Sequence, residues 1–166
     1  MWKISIVAVL AASTTIGVAL AAGHERPGPG TPGALNPDVT QKTISKTICV
    51  AGWTKTVRPP RSVTNALKKK QLAAGGYVDK NMRAYEEDHR VPLEIGGSPA
   101  SPKNLWPEPY HVAWNASIKD KLENFAKRET CAHRMTLAEG RAIFLGDWIA
   151  AYKVHCGPMP GAKCDH

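Results

Sequence analysis

The residues in this chain best suited to chemistry are Asp88 and His89, adjacent in the run Glu87-Asp88-His89-Arg90-Val91-Pro92-Leu93-Glu94-Ile95-Gly96-Gly97. An imidazole accepts a proton near neutral pH, which makes His89 a natural general base. Asp88 offers a hard anionic oxygen of the kind a divalent cation prefers. Asn104-Leu105 follows the Gly-Gly pair at short range, and a polar helix start comes after that. In an arbitrary sequence an Asp-His pair is most often an ordinary surface pair. The ordered set, Asp-His, Gly-Gly, Asn-Leu, helix, is more specific.

That layout resembles the HNH, or His-Me finger, nucleases, and the longer run EDHRVPLEIGGSPASPKNLWPEP looks like an exported bacterial branch of them. The resemblance at motif level covers Ala84 to Glu123. It implies a small ββα-metal core, a β-hairpin packed on one helix around a single divalent ion, with Mg2+ expected and Mn2+, Zn2+ or Ni2+ as alternatives. It implies hydrolysis of phosphodiester bonds, which requires a deprotonated water, a counter-charge for the phosphorane and help for the leaving oxygen. His89 takes the role of base, Asp88 that of metal ligand, and Asn104 that of the residue orienting the histidine. On a straight strand Asp88 and His89 point to opposite faces, so a local bend is needed for both to reach one phosphate.

The chain departs from the pattern at the helix, where the usual second metal ligand, a histidine, has no unambiguous counterpart. At 100° per residue, Asn115 falls close to the stripe of Ile118, Leu122 and Phe125, whereas Asp120 points away. Asn115 is therefore the expected ligand. His111 is the second candidate if the helix begins at Pro109. Asn115 has a plainer reading as a residue capping the first helical turn.

These residues need elements to hold them. Thr47 to Val50 is β-prone and predicts a short strand, and Trp53 to Arg61 reads as irregular. Ser62 or Thr64 can cap a helix over roughly Asn65 to Ala74, stopped by Gly75-Gly76. Tyr85 to Pro92 and Asn104 to Trp106 read as two short strands, followed after Pro109 by a helix to about Lys127. A last helix opens on Thr136-x-x-Glu139, a capping-box pattern, and runs to about Tyr152. Short strands mixed with helices, without βαβ alternation, give α+β with helices flanking the core.

The chain has 166 residues with 22 Lys+Arg against 14 Asp+Glu, a formal charge of +8. Its composition is 43% hydrophobic, 22% charged and 7% aromatic, with 14 Gly and 13 Pro, which predicts one loop-rich domain. A multi-domain enzyme, a coiled coil and a polytopic membrane protein are excluded. Met1-Trp2-Lys3, the uncharged run Ile4 to Ala22 and the triplet Ala19-Leu20-Ala21 read as a signal peptide, residues 1–22. Its removal takes away Lys3 and no acid, leaving +7. Residues 23–39, rich in Pro and Gly, read as a flexible leader. Residues 40–155 form the expected nuclease-like domain, and 156–166 a tail bounded by cysteines.

Four cysteines, Cys49, Cys131, Cys156 and Cys164, fit an oxidising compartment, secreted or periplasmic, with no stable membrane association after cleavage. Three pairings are open. A local Cys156–Cys164 bridge around GPMPGAK would leave Cys49 to Cys131. The basic charge suits nucleic acid, DNA and also RNA, and Arg58, Arg90, Lys103 and Lys119 are the expected backbone contacts. On its own Lys68-Lys69-Lys70 reads as a solvated helix face, and together with Arg58, Arg83, Arg90, Lys103 and Lys119 it could track a phosphate backbone. Trp106 and Tyr110 read as core. No groove-reading helix is visible, so low sequence specificity is expected. Two other readings stand beside the endonuclease: an impaired descendant that only binds nucleic acid or another polyanion, and a structural envelope protein.

Overall fold

The computed structural model describes residues 24–164, so the expected signal peptide lies outside the described residues. Among those residues the fold is α+β, with five helices and one two-stranded sheet. The helices are α1 (Trp53–Val57), α2 (Arg61–Ala74), α3 (Ala116–Cys131), α4 (Leu137–Leu145) and α5 (Trp148–His155). The strands β1 (Tyr85–His89) and β2 (Leu105–Pro109) pair antiparallel, with His89 opposite Leu105 and Asp88 opposite Trp106. No helix among the described residues is long and apolar enough to cross a membrane.

The main core lies among α3, α4, α5 and the segment that enters them. Leu122 and Phe125 of α3 meet Phe144, Trp148 and Tyr152, and Val39, Ile44, Val91 and Ile95 close the cluster. Ile118, the third member of the predicted stripe, is only partly buried at its edge. A smaller cluster, Leu72, Tyr77 and Tyr85, seats α2 on β1. The sheet is thus held between α2 on one side and α3 on the other.

Several elements differ from expectation. Thr47 to Val50 is a turn, not a strand, because no second strand lies beside it to complete a ladder. Trp53–Val57 is helical, and α2 starts at Arg61 directly behind Pro60, without a side-chain cap from Ser62 or Thr64. The Thr136–Glu139 capping box forms, but the single helix after it is two. Gly146 leaves the helical conformation, and Asp147 starts α5 by accepting hydrogen bonds from the Ile149 and Ala150 amides.

The described part of the Pro/Gly-rich leader is a docked strap rather than a flexible tail. Gly33 N–H donates to the Lys103 carbonyl, Asn36 N–H to Gly96, and Ser98 N–H to Ala34. Arg26 pairs with Asp147, and Trp148 Nε1 donates to the Glu25 carbonyl. The Gly96-Gly97 pair makes room for this crossing. Gly96 has φ +78°, and a Cβ there would lie 2.5 Å from Val39 Cγ1. At Gly97 a Cβ would meet the Val91 carbonyl oxygen at 1.7 Å. A side chain at Gly96 would force the loop and the strap apart, and one at Gly97 would break the loop's own packing on Val91 and Asn104.

Both disulfides form within this frame. Cys49–Cys131 ties the N-terminal turn to the end of α3, and Cys156–Cys164 closes the C-terminal loop.

Candidate active site

The ladder ends at His89, and the chain then loops from Arg90 back to Asn104. Asn104 is fully buried and clamps both ends of that loop. Its Oδ1 accepts from Val91 N–H at 2.9 Å, and its Nδ2 donates to the Val91 and Ser98 carbonyls at 3.0 Å each. The loop so fixed presents the Pro99 carbonyl to His89 Nε2 at 2.9 Å. A carbonyl can only accept, so Nε2 carries the hydrogen and Nδ1 of a neutral ring keeps its lone pair. Burial lowers the His89 pKa, outweighing the pull of Asp88 in the other direction, which keeps the ring neutral near pH 7. The result is an oriented proton acceptor.

His89 lines a cleft of about 520 Å³ between β1 and the start of α2. Arg58 and Arg61, both exposed, stand on its outer wall. Lys68, deeper in, is buried and donates from Nζ to the Met82 and Tyr85 carbonyls at 2.9 and 2.8 Å. Lys68 is therefore not part of a solvated face, although Lys69 and Lys70 are exposed. Glu86 accepts from the Tyr110 hydroxyl at 2.9 Å, which brings Tyr110 to the cleft rather than the core. Neither carboxylate oxygen of Glu87 has a hydrogen-bond partner. Burial pushes Glu87 up to about 8 despite the nearby Lys68, so near neutral pH it is mostly uncharged and the three cations dominate the cleft.

The opposite side of the hairpin is organised around Lys119 of α3. Its Nζ donates to Asp88 Oδ2 at 2.5 Å, to the His89 carbonyl at 2.9 Å and to Glu123 Oε1. Glu108 Oε2 of β2 lies 3.6 Å away. Burial alone would raise the Asp88 carboxyl, but the Lys119 ammonium together with Glu108 and His89 outweighs it and holds Asp88 well below the usual range. Burial raises Glu108 and Glu123 well above theirs, against the pull of the same ammonium. Asp88 does not line the His89 cleft. The hairpin carries the two side chains to different neighbours, Asp88 to α3 and His89 to the loop and the α2 side.

The helix residues expected to bind metal are engaged elsewhere. Helix α3 begins at Ala116, not near Pro109, and Asn115 is its N-cap. Asn115 Oδ1 accepts from Ile118 N–H at 3.1 Å, and Nδ2 donates to the Val112 carbonyl at 3.1 Å. His111 lies exposed in the bend before the helix. Among the described residues no group of three or more His, Cys, Asp or Glu side chains is arranged to hold a metal ion. With Asp88 bound to Lys119 and Asn115 capping its helix, the residues present do not fit the divalent ion that the resemblance implies.

The expected backbone contacts divide. Arg58 is at the cleft, and Lys103 is exposed in the turn before β2. Arg90 instead holds the strap and α4, donating to the Thr31 carbonyl at 2.7 Å and to those of Phe144 and Leu145. Lys119 is 1% exposed and faces no solvent. Sequence reasoning missed Arg61 and Glu87; Lys68, named among the residues able to track a phosphate backbone, does line the cleft. A usable signal was present: Arg61, Thr64, Asn65 and Lys68 fall at i, i+3, i+4 and i+7, a polar face of one helix turned to the cleft. Compared with known proteins, the chain matches no family model, no curated protein and no solved structure.

Proposed function

We propose that this chain is an exported phosphodiester hydrolase cutting nucleic acid, DNA and also RNA, with little sequence specificity. The observation that carries the reading is the His89 ring, anchored through Nε2 so that Nδ1 is its basic nitrogen, at a cleft walled by Arg58 and Arg61. Water in the cleft gives its proton to Nδ1 as its oxygen bonds to phosphorus. The bond from phosphorus to the leaving oxygen breaks, and that oxygen takes a proton from solvent. The arginine guanidinium groups meet the charge on the non-bridging oxygens. The two disulfides fit an oxidising compartment outside the cytosol. Cleavage of a supercoiled plasmid by the purified mature chain tests the reading. Absence of cleavage under all ionic conditions would leave the second reading, a protein that only binds polyanions. That alternative is favoured by the one observation that Lys119 engages the carboxylate expected to hold metal.

The pH profile of kcat/KM is expected to be a bell. Activity rises as His89 loses its proton below the ordinary value of 6.5, because only the neutral ring accepts. It falls as Glu87 ionises about pH 8 and sets a negative charge against the incoming phosphate. Glu87→Gln should remove the alkaline limb and leave the acid limb in place. An unchanged alkaline limb in that variant would show that Glu87 does not face the substrate.

Binding should be salt-dependent through the same wall. Each phosphate neutralised contributes about 0.9 to the slope of log affinity against log salt on duplex DNA. Replacing Arg58 and Arg61 by Glu should therefore flatten the slope by about 2, read by fluorescence anisotropy on a short duplex. An unaltered slope would place the phosphate path elsewhere, with Lys103 and the exposed Lys69 and Lys70 as the next residues to replace.

A further inference from the structure

The side chain of Lys119 is 1% exposed, and the groups that surround its Nζ come from three elements. Asp88 Oδ2 and the His89 carbonyl belong to β1, Glu108 Oε2 to β2 and Glu123 Oε1 to α3 itself. An ammonium has three donors, and Asp88, His89 and Glu123 take all three. The Phe144 ring, 5.7 Å away, lies on an apolar side of the same site. Carboxylate and carbonyl oxygens are the ligand types a hard divalent cation prefers, but here they close on the ammonium, and as they stand they form no metal site.

We infer that the Lys119 ammonium is a cation built into the chain in place of a divalent ion, and that the His89 cleft works without such an ion. A metal entering this site would have to displace Nζ from a buried pocket and leave an ammonium buried without partners, which is strongly unfavourable. Lys119 does not reach the cleft, so it is a positioning residue. It fixes the end of β1 through Asp88 and the His89 carbonyl, and so fixes the base. The charge on a bound phosphate falls to Arg58 and Arg61.

The inference rests on the proposed hydrolase only in its activity arm. For the binding arm, protein stripped with chelator and dialysed is titrated with Mn2+ while its thermal midpoint is followed. The wild type should show no rise at millimolar Mn2+. Lys119→Ala, which vacates the position between Asp88 and Glu123 with Glu108 beside it, should melt lower without metal and gain about 5 °C or more with it. A clear Mn2+-dependent rise in the wild type overturns the inference, and so does a folded Lys119→Ala protein indifferent to Mn2+. If Lys119→Ala does not fold, the wild-type titration decides alone. In the activity arm, plasmid cleavage by the wild type should be unchanged by excess chelator, and cleavage that requires added metal overturns the inference. Should the wild type cut under no condition, the hydrolase reading fails while the Mn2+ titration still decides the role of Lys119.

Discussion

Replacing His89 by Ala is expected to lower kcat/KM for plasmid cleavage by about 10²–10⁴-fold, the usual contribution of a positioned general base. The geometry makes the expectation specific. Asn104 fixes the loop, the loop holds Pro99, and the Pro99 carbonyl fixes the hydrogen on Nε2, so the only basic atom of the ring is Nδ1. Loss of the ring removes one hydrogen bond to a loop that Asn104 still clamps. Stability should fall by only about 1–3 kcal/mol, and duplex binding, carried by Arg58 and Arg61, should change little. The decisive pair of measurements is cleavage rate and anisotropy on the same preparation, with the thermal midpoint as a check on folding. Adding free imidazole to the variant should restore part of the rate, since the space left by the ring can take the base back. Undiminished cleavage by clean His89→Ala protein would remove the mechanism, whereas parallel loss of binding and cleavage would make His89 structural.

The features legible in the sequence are those set by local interactions. The hairpin strands, the body of α2 and the Thr136–Glu139 cap each follow from a few neighbouring residues, and the structure contains all three. The α3 stripe was legible but its start was not. The bend from Tyr110 to Trp114 delays the helix until Asn115 can cap it, and this converts an expected ligand into a cap. Lysines were the hardest residues to read. From sequence Lys68 and Lys119 are surface charges, because burying an ammonium is unfavourable unless partners converge on it. The partners of Lys119 come from Asp88, Glu108 and Glu123, and only the folded hairpin on α3 brings them together. The strap was misread for a related reason. Pro and Gly signal a lack of side chains to bury, but residues 33–36 dock through main-chain hydrogen bonds, which composition does not reveal.

The second large effect concerns the bridge between Cys49 and Cys131, whose separation is 82 residues, against 8 for Cys156 and Cys164. In the chain-entropy account a bridge stabilises by restricting the unfolded chain, and the effect grows with the logarithm of the loop. For the long loop this comes to about 4–5 kcal/mol, and for the short one to about 2–3 kcal/mol. Domains of this size are stable by about 5–15 kcal/mol, so loss of the first bridge alone removes a large share. Its ends also matter in the folded state. Cys49 and Cys131 both pack against the main core, and they anchor the turn that carries Ile44 and Ile48 to α3. The Cys49→Ala/Cys131→Ala protein should therefore show a lower urea midpoint than the Cys156→Ala/Cys164→Ala protein, with the wild type above both. Residual structure in the reduced chain would narrow the gap without reversing the order. A reversed order would mean that the C-terminal loop, not the turn, holds the core closed. Peptide mapping that joined Cys49 to Cys156 or Cys164 would remove the basis of the comparison altogether.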